Sequence, residues 1–172
     1  MHYLAYVLIG PDGDPEAQVE ALMAPHRENF DVEPSTGFWD WYQIGGRWSG
    51  HLDGYDPEKD PKNIEKCTLC GATGKRFDMV VASGCNGCSG NGVRLAWPTQ
   101  WVKHLGDVQS ASVAVAKAEM PYTLVTEGVV LQKEVWDGSD FTKTDDFETR
   151  AKALLLEHAS RNGRVVVVDY HS

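Results

Sequence analysis

Two cysteine pairs govern what this chain can fold into. Cys67 and Cys70 form one C-x-x-C, and Cys85 and Cys88 form the other. Fourteen residues lie between the pairs, and the 172-residue chain has no fifth cysteine. A C-x-x-C turn aims two thiolates at one point, and two such turns close a tetrahedron of sulfur around zinc. Free or redox thiols are the alternative, and two separate knuckles argue against it. Four protein ligands fill the coordination sphere. One Zn2+ in a structural role is therefore expected, with no position for a reactive water. Binding would contribute on the order of 10 kcal/mol to holding this segment. Clustered thiols suit a reducing compartment, so a cytoplasmic protein is expected.

The two ends of the chain read as regular structure. Residues 3–9, "YLAYVLI", are rich in β-formers and run into the turn "GPDGD". Asp14 can cap a helix, Pro15 suits its first position, Val19, Leu22 and Met23 share a face, and Pro25 ends it. This apolar start lacks a basic leader segment and reads as a first strand. Towards the C-terminus, two β-rich runs flank Glu127-Gly128, a hairpin turn. A helix follows, with Asp145 and Glu148 spaced as a capping box. Its apolar face is Phe147, Ala151, Leu154 and Leu155, and Gly163 marks its stop. The run "RVVVVDYH" predicts a strand buried on both sides.

That order, βα then ββαβ, predicts an α+β protein with a ferredoxin-like βαββαβ core from residues 1–29 and 121–172. Residues 30–120 would be a large insertion, holding an aromatic joint at 36–52 and the zinc knuckle at 65–94. The Ala/Val/Ser-rich piece at 107–120 fits helix or strand equally well.

The joint, "TGFWDWYQIGGRWSGHL", holds three of the chain's six tryptophans. Trp39, Trp41 and Tyr42 cannot share one strand face, so one side would be core and the other would meet the insertion. Gly45-Gly46 allows a sharp bend. Arg47 could stack on a tryptophan or pair with Asp40. The stretch reads as a hinge, or as a binding surface anchored by Trp39, Trp41, Arg47 and Trp48. Knuckle-flanking Arg76 and Arg94 would extend that surface.

"CNGCSGNG" at 85–92 resembles the C-x-x-C-x-G-x-G repeat of the cysteine-rich zinc domain of DnaJ-type chaperones. "CTLCGATG" at 67–74 is a looser copy, with Ala72 in place of a glycine. The likeness covers only residues 65–94. It implies a zinc knuckle and not co-chaperone activity, because a second pair of repeats and a His-Pro-Asp signature are absent. The whole chain is similar to uncharacterised bacteriophage-encoded proteins that join a W-Y-x-I-G-G-R-W segment to such knuckles and a "VVDYH" strand. The matching pieces are 41–48, 67–92 and 167–171. That resemblance implies an accessory protein acting on a host machine, and it carries no catalytic residues.

The formal net charge of −9 disfavours nonspecific attraction to a phosphate backbone. The leading expectation is a non-enzymatic binding protein with a protein partner. Two alternatives stand beside it. One is nucleic-acid binding through Lys75, Arg76, Arg94 and Lys103 with the interleaved rings of Phe77, Trp97 and Trp101. The other is a small enzyme using Asp40, Arg47, Asp169 and His171, the last two lying on one face of the final strand. His51, His104 and Asp107 are dispersed in sequence. No P-loop, dinucleotide fingerprint, H-E-x-x-H or G-x-S-x-G motif occurs, and no apolar run is long enough to span a membrane.

Overall fold

The computed structural model describes residues 1–29, 31, 37–76, 84–117, 119–136 and 139–172. It divides into two compact units, residues 1–55 with 104–172, and residues 56–103. The dividing points fall inside the expected insertion, so the aromatic stretch belongs to the first unit.

In chain order the first unit holds β1 (His2–Ile9), α1 (Pro15–Met23) and β2 (Trp41–Ile44). The second unit contributes β3 (Ile64–Lys66) and β4 (Val93–Leu95). The first unit resumes with β5 (Val108–Ser110), α2 (Ala111–Ala116), β6 (Thr123–Thr126), β7 (Val129–Gln132), β8 (Glu134–Trp136), β9 (Phe141–Lys143), α3 (Phe147–Ser160) and β10 (Arg164–His171). The segment that fitted helix or strand is both: a short strand running directly into a short helix.

Local signals explain most of these boundaries. Asp14 caps α1 by accepting from the Ala17 amide at 2.9 Å, and Pro15 opens the helix. Glu127 and Gly128 form the two-residue turn between β6 and β7, with Gly128 at φ +71°. The start of α3 differs from the expected capping box. Asp146, not Asp145, precedes the helix, in a left-handed conformation that gives no side-chain cap. At its end Asn162, at φ +56°, makes the left-handed turn expected of Gly163. Gly163 has another role: a Cβ there would lie 2.2 Å from the His158 ring, which bonds to the Ile9 carbonyl.

A six-stranded sheet organises the first unit, in the order β2-β10-β1-β6-β7, with β5 pairing β10 beside β2's partner residues. β10 runs antiparallel to β1 along its whole length, while β6 pairs β1 in parallel. Side chains alternate between two cores. Leu4, Tyr6, Leu8, Val165 and Val167 pack with Phe147, Ala151 and Leu155 of α3 and Ala114 of α2. Ala5, Val7, Ile9, Val166 and Val168 pack with Val19 and Met23 of α1. The Val run of β10 is fully buried because both faces are covered.

The α+β class therefore stands, but the ferredoxin-like arrangement does not carry over. That arrangement needs both neighbours of β1 to be antiparallel and both helices on one face. Here β6 is a parallel neighbour, and α1 and α3 cover opposite faces. Within residues 121–172 the structure also adds a separate two-stranded ribbon, β8–β9, between the expected hairpin and α3; which strands pair is a tertiary matter.

Candidate metal centre

The second unit is built around the cysteines. β3 ends at Lys66 and β4 begins at Val93, so a short antiparallel ribbon delivers the chain into Cys67 and out of Gly92. The Cys67 amide donates to the Gly92 carbonyl at 2.9 Å, closing the ribbon onto the cluster. The two knuckles repeat one backbone path. Gly71 and Ser89 follow the second cysteine of each pair at φ +58° and +49°; Ala72 and Gly90 follow at +65° and +82°. Gly74 and Gly92 complete the repeat. A Cβ on either would lie 2.2 or 2.4 Å from the carbonyl of Gly90 or Ala72. Ala72 thus adopts the left-handed conformation of the glycine it replaces, at a cost of about 1–2 kcal/mol.

All four thiols are buried, and their sulfurs lie within 4.8 Å of one another. The Cys67–Cys85 and Cys70–Cys88 Sγ pairs are each 3.8 Å apart. A tetrahedral zinc with ordinary bond lengths requires sulfurs separated by about 3.8 Å. The donor set can therefore hold a metal ion of this type, and four soft thiolates select zinc-like ions over hard cations. The Gly92 amide donates to the Cys88 sulfur at 3.2 Å, offsetting its charge.

The acidities of the thiols are uneven. Burial opposes ionisation of Cys70. The Gly74 amide and the neighbouring thiols outweigh it and bring Cys70 down to about 7. Burial and the neighbouring thiols push Cys85 up to about 11. Cys70 thus gives up its proton more readily than Cys85, and a metal must displace thiol protons to bind.

The same ribbon separates polar from apolar. Glu65 and Arg94 are cross-strand partners joined by a 2.7 Å ion pair. Ile64 pairs with Leu95, and Lys66 with Val93, on the other face. Ile64, Val93, Leu95 and Trp97 are all exposed, Trp97 at 64%. Sequence reading passed over this apolar face, because alternation over three-residue strands is too short to register. Arg94 is thus held inside the unit, and Arg76 Nη1 donates to Asn86 at 3.2 Å. Of the rings proposed to stack on a single strand, Trp97 offers a face. Trp101 is buried, with its indole donating to the Ala96 carbonyl, and Phe77 lies outside the described residues.

The aromatic stretch belongs to the sheet. Trp39 is buried, donates to the Met23 carbonyl at 2.9 Å and lies under the Arg27 guanidinium. It is not available as a surface anchor. Trp41 and Trp48 are half-buried and Arg47 is exposed. Neither role suggested for Arg47 is seen. Arg27, not Arg47, covers a tryptophan, and Asp40 pairs with His171.

What "GGRWSG" does is hold two buried carboxylates. Asp169 accepts from the Arg47 amide at 3.0 Å, and a Cβ on Gly46 would lie 2.6 Å from that carboxylate. Asp107 accepts from Ser49 Oγ and the Gly50 amide, both at 2.7 Å, and a Cβ on Gly45 would lie 2.1 Å from it. Burial raises the Asp107 pKa despite these donors. Nearby, Tyr6 Oη, Trp48 Nε1 and His51 Nε2 are buried without a partner among the described residues, and burial lowers the His51 pKa.

The four residues of the enzyme alternative gather at one end of the sheet. His171 Nδ1 lies 2.9 Å from Asp40, and Asp169 holds the Arg47 amide. The link between them is His2, which sequence reading missed: its Nδ1 is 2.9 Å from Asp169 and its ring centroid 5.3 Å from that of His171. Only the register of β1 on β10 reveals it.

No protein-family model, curated protein or solved structure matches this chain. What the fold and site define is a mixed α+β protein carrying a buried four-cysteine cluster fit to hold a metal ion. Among the described residues, no helix is long and apolar enough to cross a membrane.

Proposed function

We propose that the chain is a non-enzymatic, zinc-containing binding protein that engages a protein partner through its knuckle unit. The observation that supports this is the group of exposed apolar side chains on the β3–β4 ribbon, Ile64, Val93 and Leu95, with Trp97 two residues beyond its end. A unit this small cannot bury a large apolar core, and a structural metal supplies the stability instead. Apolar side chains are then free to face outward, and a contiguous apolar patch beside polar residues marks an interaction surface. Trp97 is the anchor, by size and exposure. The bacteriophage resemblance supplies the setting, an accessory protein acting on a host macromolecule. The nucleic-acid alternative is weaker, because Trp101 is buried and Arg94 is paired.

Affinity capture with zinc-loaded chain tests this. Partners retained by the wild type should be lost with Trp97→Ala and kept with Trp136→Ala, an exposed aromatic in the other unit. An unchanged partner set with Trp97→Ala refutes the surface. A folded, metal-free second unit refutes the zinc.

A further inference from the structure

We propose that His2 and His171 form a second metal site, distinct from the cysteine cluster, for a divalent ion of the zinc, nickel or copper class. The two residues are direct cross-strand partners on β1 and β10. Asp169 lies two residues before His171, so its side chain points to the same side of the sheet. Each imidazole is anchored through Nδ1, His2 by Asp169 and His171 by Asp40, both at 2.9 Å. An ionised carboxylate only accepts, so in the neutral imidazole Nδ1 carries the proton and the lone pair sits on Nε2. This is the orienting arrangement of metal-bound histidines. Neither Nε2 has a protein partner among the described residues.

The spacing fits a shared ion. With ordinary metal–nitrogen bonds, each ring centroid sits about 3.2 Å from the metal, and a tetrahedral angle then places the centroids about 5.2 Å apart. They are 5.3 Å apart, with planes at 69°. The anchors are part of the fold. Asp169 is fully buried and its other oxygen takes the Arg47 amide, in the space that Gly46 leaves. The imidazoles remain accessible, with side chains 28% and 41% exposed. Imidazole nitrogens favour zinc, nickel and copper over calcium or magnesium. Two protein ligands leave open positions, so this ion would be exchangeable, unlike one closed in by four thiolates.

The test uses the full chain carrying one equivalent of zinc. A second equivalent of Zn2+ is titrated by calorimetry and followed by the imidazole nitrogen resonances. The expected result is a second, weaker binding event that shifts His2 and His171 Nε2 together. His171→Gln and His2→Gln should each weaken it at least about tenfold, and Asp40→Asn, which spares both ligands, by about 10-fold or more. Circular dichroism confirms that each variant is folded. The site is refuted by the lack of a second event, by shifts confined to His26, His51, His104 or His158, or by undiminished binding in His171→Gln.

Discussion

Gly45→Ala is the sharpest test of the carboxylate cradle. Gly45 sits at φ +73°, ψ −82°, a conformation that costs an alanine about 1–3 kcal/mol. Its new Cβ would fall 2.1 Å from Asp107 Oδ2, closer than any real contact. Asp107 would have to move, yet its carboxylate is buried and holds Ser49 Oγ and the Gly50 amide. Disturbing a buried charged acceptor adds about 1–3 kcal/mol. The total is roughly 2–6 kcal/mol, or a fall in Tm of about 4–24 °C. Gly54→Ala is the control: φ is +83°, but a Cβ there meets nothing within 4 Å. It should lose only the backbone contribution, about 1–2 kcal/mol. Urea unfolding followed by far-ultraviolet circular dichroism reads the first unit, which holds all the α-helices among the described residues. Equal losses in the two variants would refute the cradle.

Other outcomes follow from single contacts. Ala72→Gly should stabilise the metal-loaded knuckle by about 1 kcal/mol, because Ala72 holds a left-handed conformation; a loss of stability on urea titration would contradict the repeated backbone path. Chelation should raise amide exchange across residues 56–103 and leave the β1–β10 core protected; uniform protection in both units would deny the metal its structural role. The Asp53 pKa is depressed: burial opposes this, but the Tyr55 amide and His104 prevail. A depressed folded pKa contributes stability above the unfolded value, about 3.9, and that contribution is lost as pH falls through the folded value. Asp53→Asn should therefore flatten the acid limb of a stability–pH profile, and an unchanged limb would refute the linkage. Asp14→Ala should cost about 1 kcal/mol in denaturant unfolding, through loss of the cap on the Ala17 amide.

Much of this protein was legible in its residues. The C-x-x-C pairs determine a common point for four sulfurs, because a two-residue turn leaves the thiols little choice. Asp14-Pro15, Glu127-Gly128 and the Val run of β10 likewise act through bonds and backbone preferences that need no distant partner. Tertiary structure alone decided which strands pair. The βα and ββαβ order is compatible with more than one sheet, and only the folded chain places β6 parallel beside β1, with a core on each face. It also decided the role of "GGRWSG". Two glycines read as a bend, but Asp107 and Asp169, far along the chain, turned them into the floor of two carboxylate sites. His2 lies 169 positions from His171 and carries no motif; the antiparallel register of β1 and β10 makes them neighbours. Local chemistry specifies turns, caps and knuckles. Contacts between distant residues depend on how faces are buried, and no short stretch of sequence contains that information.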